Sequence, residues 1–183
     1  QIEIAPSAIG KNIKDGKLYF FALNGSGGFS TNGKEPWVSD GTSSGTFMLK
    51  DINTSSNNGS TGTAYSKHFI EYKGKMYFYA IGSTAASYAI YETDGTTTGT
   101  SLFKSLDRVD EFIVKDNLLY FTCVNGPSVW TSDGTLSGTT QIATIPNGQL
   151  NNVATCQMTI ANNDLFFRVI SSSVGSELFK LNS

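Results

Sequence analysis

The sequence predicts an all-β protein: a closed four-bladed β-propeller with four antiparallel strands per blade, the N-terminal strand completing the last blade. Three observations carry this. The motif aromatic-x-[ST]-D-G-T-x-x-G-T occurs without internal gaps at Trp37–Thr46, Tyr91–Thr100 and Trp130–Thr139. An aromatic-rich strand lies ahead of each copy and recurs a fourth time without the motif. No segment sustains a helical period without Gly or turn residues. Four short strands per repeat of about 40–50 residues is the sequence signature of a propeller blade.

The aromatic strands are Lys17-Leu18-Tyr19-Phe20-Phe21, Lys75-Met76-Tyr77-Phe78-Tyr79, Asn117-Leu118-Leu119-Tyr120-Phe121 and Asp164-Leu165-Phe166-Phe167-Arg168. Alternate positions are apolar on both faces, so each strand must be covered on both sides. The turn pairs Asp15-Gly16, Lys73-Gly74, Lys115-Asp116 and Asn162-Asn163 lead into these strands, as hairpin dipeptides do. Phe69–Tyr72 and Phe112–Val114 enter two of those turns. Phe47–Leu49, Ser101–Phe103 and Gln141–Ala143 follow the Asp-Gly-Thr motifs. Each blade therefore runs A to D, with the motif closing C onto D. Glu177–Asn182 matches Glu35–Asp40 and would be strand C of the last blade. Its strand D is expected from residues 1–7, which read like residues 141–147. The blades fall at about 8–53, 65–107, 109–147 and 150–183 plus 1–7, in a single domain. Half of a larger ring is the alternative.

Hydrophobic residues make up 39% of the 183 and charged residues 15%, ordinary for a globular domain. A net charge of −2 gives no general field for nucleic acid. No apolar run approaches the roughly 18 residues of a membrane-spanning helix. The chain opens on Gln1, as a mature secreted product or a piece of a longer chain does. The expected location is extracellular or at the cell surface, and the expected state is a monomer.

The motif resembles the Leu-Trp-x-x-Asp-Gly-Thr-x-x-Gly-Thr repeats of secreted and surface proteins of bacteria, across essentially the whole chain. That resemblance implies an extracellular propeller-like module. A looser similarity is to the Asp-box turn of sialidase propellers, which also joins strands C and D. Here the aromatic precedes the Asp, and only Arg108 and Arg168 are available for the arginine grip of a sialidase. Four-bladed propellers of the hemopexin type hold ions in the central channel. The similarity of architecture implies an ion such as calcium or sodium there, and no other cofactor; residues that would hold a metal are not identifiable.

Asp40, Asp94 and Asp133 suit hard-cation ligands by type. One carboxylate per blade does not converge on one ion, so they are expected to accept N–H groups of their own turns. Trp37, Tyr91, Trp130 and Phe179 are expected in the core. His68 stands alone, without a nucleophile and orienting acid to make it catalytic. Cys123 and Cys156 are placed at one end of adjacent blades, where a disulfide and two buried thiols are equally expected. The longest loops, Asn24–Lys34, Asn53–Lys67 and Ile81–Ser87, gather on the rim opposite the motif turns. Phe29, Tyr65, His68 and Tyr88 are the candidate ligand-binding residues there. The leading function is a non-catalytic extracellular binding or adhesion module for a glycan or protein. A glycoside-active enzyme using Glu71, Glu92 or Asp110 is an alternative, and so is a structural spacer.

Overall fold

The computed structural model describes residues 12–23, 34–54, 69–82, 88–106, 108–123, 128–144, 158–171 and 175–181. They form fifteen strands in four antiparallel sheets, ordered β1-β2-β3-β4, β5-β6-β7-β8, β9-β10-β11-β12 and β13-β14-β15. The first sheet comprises β1 (Ile13–Lys14), β2 (Lys17–Leu23), β3 (Lys34–Ser39) and β4 (Phe47–Met48). The second comprises β5 (Ile70–Tyr72), β6 (Lys75–Ile81), β7 (Tyr88–Thr93) and β8 (Ser101–Ser105). The third comprises β9 (Val109–Lys115), β10 (Leu118–Cys123), β11 (Ser128–Ser132) and β12 (Thr140–Thr144). In the fourth are β13 (Met158–Ala161), β14 (Asp164–Ser171) and β15 (Gly175–Leu181). Every described residue is therefore strand or connection, and each sheet is blade-like. The strand expected from residues 1–7 lies outside the described residues.

The chain divides into two compact units, Gln1–Ser105 with the first two sheets and Leu106–Ser183 with the last two. In the first unit, Tyr19 and Val38 of one sheet pack with Met76, Phe78 and Tyr91 of the next. Phe69 joins them, its ring centroid 5.8 Å from Tyr19, 5.1 Å from Phe21 and 4.8 Å from Phe78. In the second unit Tyr120 and Val129 of the third sheet pack with Leu165, Phe167 and Met158 of the fourth. Met158 stands opposite Phe167 as Phe69 precedes the Ile70↔Tyr77 pair, so one position fills both inter-sheet gaps. Within each unit the stacking of the two sheets covers one face of each aromatic strand.

Pairing sets the third repeat one residue away from the expectation. Phe20, Phe78, Phe121 and Phe167 oppose Trp37, Tyr91, Trp130 and Phe179. Phe121, not Tyr120, therefore occupies this column, and Leu119 replaces Leu118 in the column before it. The physical reason is the preceding turn. Asp116 and Asn117 carry the positive φ values, 48° and 59°, so Asn117 belongs to the hairpin and β10 starts later. The expected pair Lys115-Asp116 is thus corrected to Asp116-Asn117. A slip of one residue exchanges sheet faces, and Leu119 and Phe121 are the fully buried residues as a result. Three of the four aromatic pairs stack, with interplanar angles of 18°, 10° and 14°.

Candidate functional site

The repeated turn is the most completely determined feature of the chain. Thr42 donates to Asp40 Oδ1 through its N–H (2.9 Å) and its hydroxyl (2.7 Å). Gly45 N–H donates to Thr42 Oγ1 (3.0 Å), and Thr46 Oγ1 donates to the Thr42 carbonyl (2.6 Å). Since the Thr46 proton is used there, Ser39 must donate across the 2.6 Å contact to Thr46 Oγ1. Ser39 Oγ in turn accepts the Gly41 N–H at 3.0 Å. Likewise Thr42 spends its proton on Asp40, so Ser44 donates to Thr42 Oγ1 at 3.3 Å.

The same bonds recur around Asp94 and around Asp133. Asp40, Asp94 and Asp133 each accept from the next-but-one Thr of their own turn. The hydroxyl bonds from Thr42 and Thr96, then their N–H bonds, hold the Asp40 and Asp94 carboxyls below the usual carboxylate range. Each last-but-one glycine permits this geometry, because a Cβ on Gly45, Gly99 or Gly138 would collide with the Asp carboxylate. The sequence pattern leaves two positions of the turn undefined, and the second is Ser44, Thr98 or Ser137. Its hydroxyl completes the network. Its shared chemistry is the signal that would have found it.

Among the other expected site residues, Tyr88 is half-buried at the start of β7, stacked on Tyr79 with centroids 6.0 Å apart. Phe29, Tyr65 and His68 lie outside the described residues. Cys123 is buried at the end of β10, and Cys156 lies outside the described residues. Glu71 stands opposite Met76, and Glu92 stands opposite Tyr77. Adjacent positions of β6 point to opposite faces, so these two carboxylates leave opposite sides of their sheet. Glu92 is also bound to Lys75 at 2.6 Å. Asp110 is half-buried on β9. Among the described residues no group of three or more His, Cys, Asp or Glu is placed to hold a metal ion.

Two carboxylates that sequence reasoning passed over are structural. Glu35 is fully buried and accepts the Ile52 N–H at 2.9 Å. Glu111 accepts the Met158 N–H at 2.6 Å, tying β9 to β13. A pocket of about 230 Å³ opens between the third and fourth sheets, with Tyr120, Lys115, Asp116, Asn163, Asp164 and Leu181 in its wall.

Fold and site together define an all-β repeat protein of antiparallel sheets, in three of which a self-bonded Asp-Gly-Thr turn joins the third strand to the fourth. No protein-family profile matches the chain, and no curated protein matches it.

Proposed function

We propose that the chain is a non-catalytic binding or adhesion module, extracellular or at the cell surface, that recognises a glycan or a protein. The observation that carries this reading is the closure of the turn network. Side-chain hydroxyls and carboxylates of the Asp-Gly-Thr rim are bonded to their own turn, so that rim acts as scaffold. Recognition then falls to the polar segments 24–34, 53–67 and 81–87, most of which lie outside the described residues; their Gly, Ser, Asn and Thr supply adaptable hydrogen bonds, and Tyr88 follows the last of them. A rigid scaffold under variable loops is a common way to build a binding surface.

In this reading the four sheets form a closed four-bladed propeller, and residues 1–7 pair with β15. The exposed Leu178 on that strand (68%) supports a further strand there. Deleting residues 1–7 is then expected to expose the edge and promote aggregation. A channel ion and a Cys123–Cys156 bridge belong to the same proposal. A glycan array run with a hydrolysis screen on the same sugars tests the function. Binding without release of reducing sugar is expected. Release would transfer the chain to the glycoside-active enzymes, and silence in both assays would leave a spacer.

A further inference from the structure

The chain holds four Asp-Gly pairs, all among the described residues: Asp15-Gly16, Asp40-Gly41, Asp94-Gly95 and Asp133-Gly134. Asp-Gly is the dipeptide at which a chain most readily attacks its own side chain, because glycine places no Cβ beside the nitrogen. The glycine nitrogen adds to Cγ of the protonated carboxyl. The N–Cγ bond forms, a carboxyl C–O bond breaks, and water leaves with the amide proton. Water then opens the succinimide ring at either carbonyl. One opening returns aspartate, and the other gives isoaspartate, in which the main chain runs through the side chain.

Three of the four pairs are bonded against this reaction at both reacting groups. The N–H groups of Gly41, Gly95 and Gly134 each donate at 3.0 Å to the hydroxyl of Ser39, Thr93 and Ser132. That hydroxyl is neutral and spends its own proton on the last Thr of the turn, so it holds the amide proton without removing it. The carboxylate is held too. Its Oδ1 accepts two bonds from the next-but-one Thr, and the backbone of Gly45, Gly99 or Gly138 passes against it. Such bonds favour the ionised carboxylate, which does not cyclise because oxide is a poor leaving group.

Asp15-Gly16 has the dipeptide without these bonds. It forms the hairpin tip between β1 and β2, with φ of 50° and 71°. Its carboxylate pairs with Lys14, and the Gly16 N–H has no hydrogen-bond acceptor among the described residues. No described atom lies within 4 Å of the Gly16 Cβ direction.

We propose that Asp15-Gly16 is the site at which this chain modifies itself, through a succinimide to isoaspartate, and that the hydroxyl before each Asp-Gly-Thr protects the other three pairs. The repeated Ser or Thr thereby has a chemical role beside its structural one. Isoaspartate adds a methylene to the main chain, and at residue 40, 94 or 133 it would break the turn that joins the third strand to the fourth. A hairpin tip accommodates an added atom more readily.

Ageing the whole chain at neutral pH in heavy-oxygen water tests this. Ring hydrolysis leaves one heavy oxygen at the residue, so peptide mass spectrometry reads turnover at each of the four sites. Electron-transfer fragmentation separates isoaspartate from aspartate. Each rate is divided by that of the urea-unfolded chain, which removes the effect of neighbouring residues. In the folded wild type, residue 15 is expected to label first. Residues 40, 94 and 133 should lag by roughly tenfold, corresponding to about 1.4 kcal/mol of bonding that must open first. Ser39→Ala should raise labelling at residue 40 while residues 94 and 133 stay slow, a site-selective change that general unfolding would not produce. Equal normalised rates at all four sites, or faster labelling at residue 40, 94 or 133 than at residue 15, would overturn the proposal. So would a Ser39→Ala chain in which residue 40 stays as slow as in wild type, or in which all sites accelerate together.

Discussion

The contact between Asp94 and Gly99 offers the sharpest test of how the repeated turn is held together. Asp94 Oδ1 accepts the Thr96 N–H at 2.9 Å and its hydroxyl at 2.7 Å, and the backbone of Gly99 passes against the same carboxylate. In Gly99→Ala the new methyl collides with that carboxylate, which must swing away and give up both bonds. The carboxylate is exposed and water competes for it, so each bond is taken at about 1 kcal/mol, below the roughly 1.5–3 kcal/mol of bonds to charged groups. The loss is then about 2 kcal/mol. For a chain of this length that is a fall in Tm of roughly 4–8 °C. Asp94→Ala loses the same two bonds by deletion and is expected to fall by a similar amount. The decisive sample is the double variant. With no carboxylate to strike, the alanine at position 99 costs nothing further, and reduced freedom of the unfolded chain even returns about 0.5 kcal/mol. Calorimetry on the wild type, both single variants and the double variant closes the cycle. Additive losses would show that Gly99 serves some need other than approach to Asp94, and would refute the reasoning.

Burial predicts unequal copies of the same hydrogen bond. Thr93→Val leaves the buried Gly95 N–H without its acceptor, and a loss of about 1–3 kcal/mol by denaturant titration is expected, against less than about 1 kcal/mol for Ser39→Ala in the exposed first turn. Acid should act through the turns as well. The Asp40 and Asp94 carboxyls are depressed in the folded state, so their stabilisation is present above the unfolded value near pH 4 and is lost as pH falls through the lower folded values. Asp94→Asn should flatten the fall in Tm below about pH 4, and an unchanged slope would remove the turns from the acid response. At the buried Glu35, Glu35→Ala strands the Ile52 N–H and should destabilise by about 1–3 kcal/mol, whereas Glu35→Gln keeps an acceptor and should cost less. Equal losses from the two would mean that Ile52 is not the partner that matters.

The repeat made most of the architecture legible because it fixes several things at once. The aromatic, the small hydroxyl residue, Asp, Gly and Thr each hold one bond or one packing position, so three gapless copies leave little freedom in the C–D half of a sheet. The hairpins before the aromatic strands are less constrained. Lys-Asp-Asn allows either of two dipeptides to make the turn, and only backbone φ at Asp116 and Asn117 decides. The expectation chose the wrong pair, and every face assignment in β10 moved with it. Glu35 and Glu111 were illegible for another reason. Their acceptor roles join residues 17 and 47 positions apart, which no local pattern reports.

The three turns are chemically alike and structurally unequal, and the difference arises outside them. Thr93 and Thr100 are 0% and 2% exposed, while Ser39 and Thr46 in the same bonds are half-buried. The intrinsic network therefore does not need burial to form, since the exposed copy shows the same distances as the covered one. What burial adds is the seat: a tyrosine from the preceding sheet against a glycine with no side chain. A turn that is preorganised before it docks pays no ordering cost on docking, which allows the small contact between the second turn and Tyr19 to be specific.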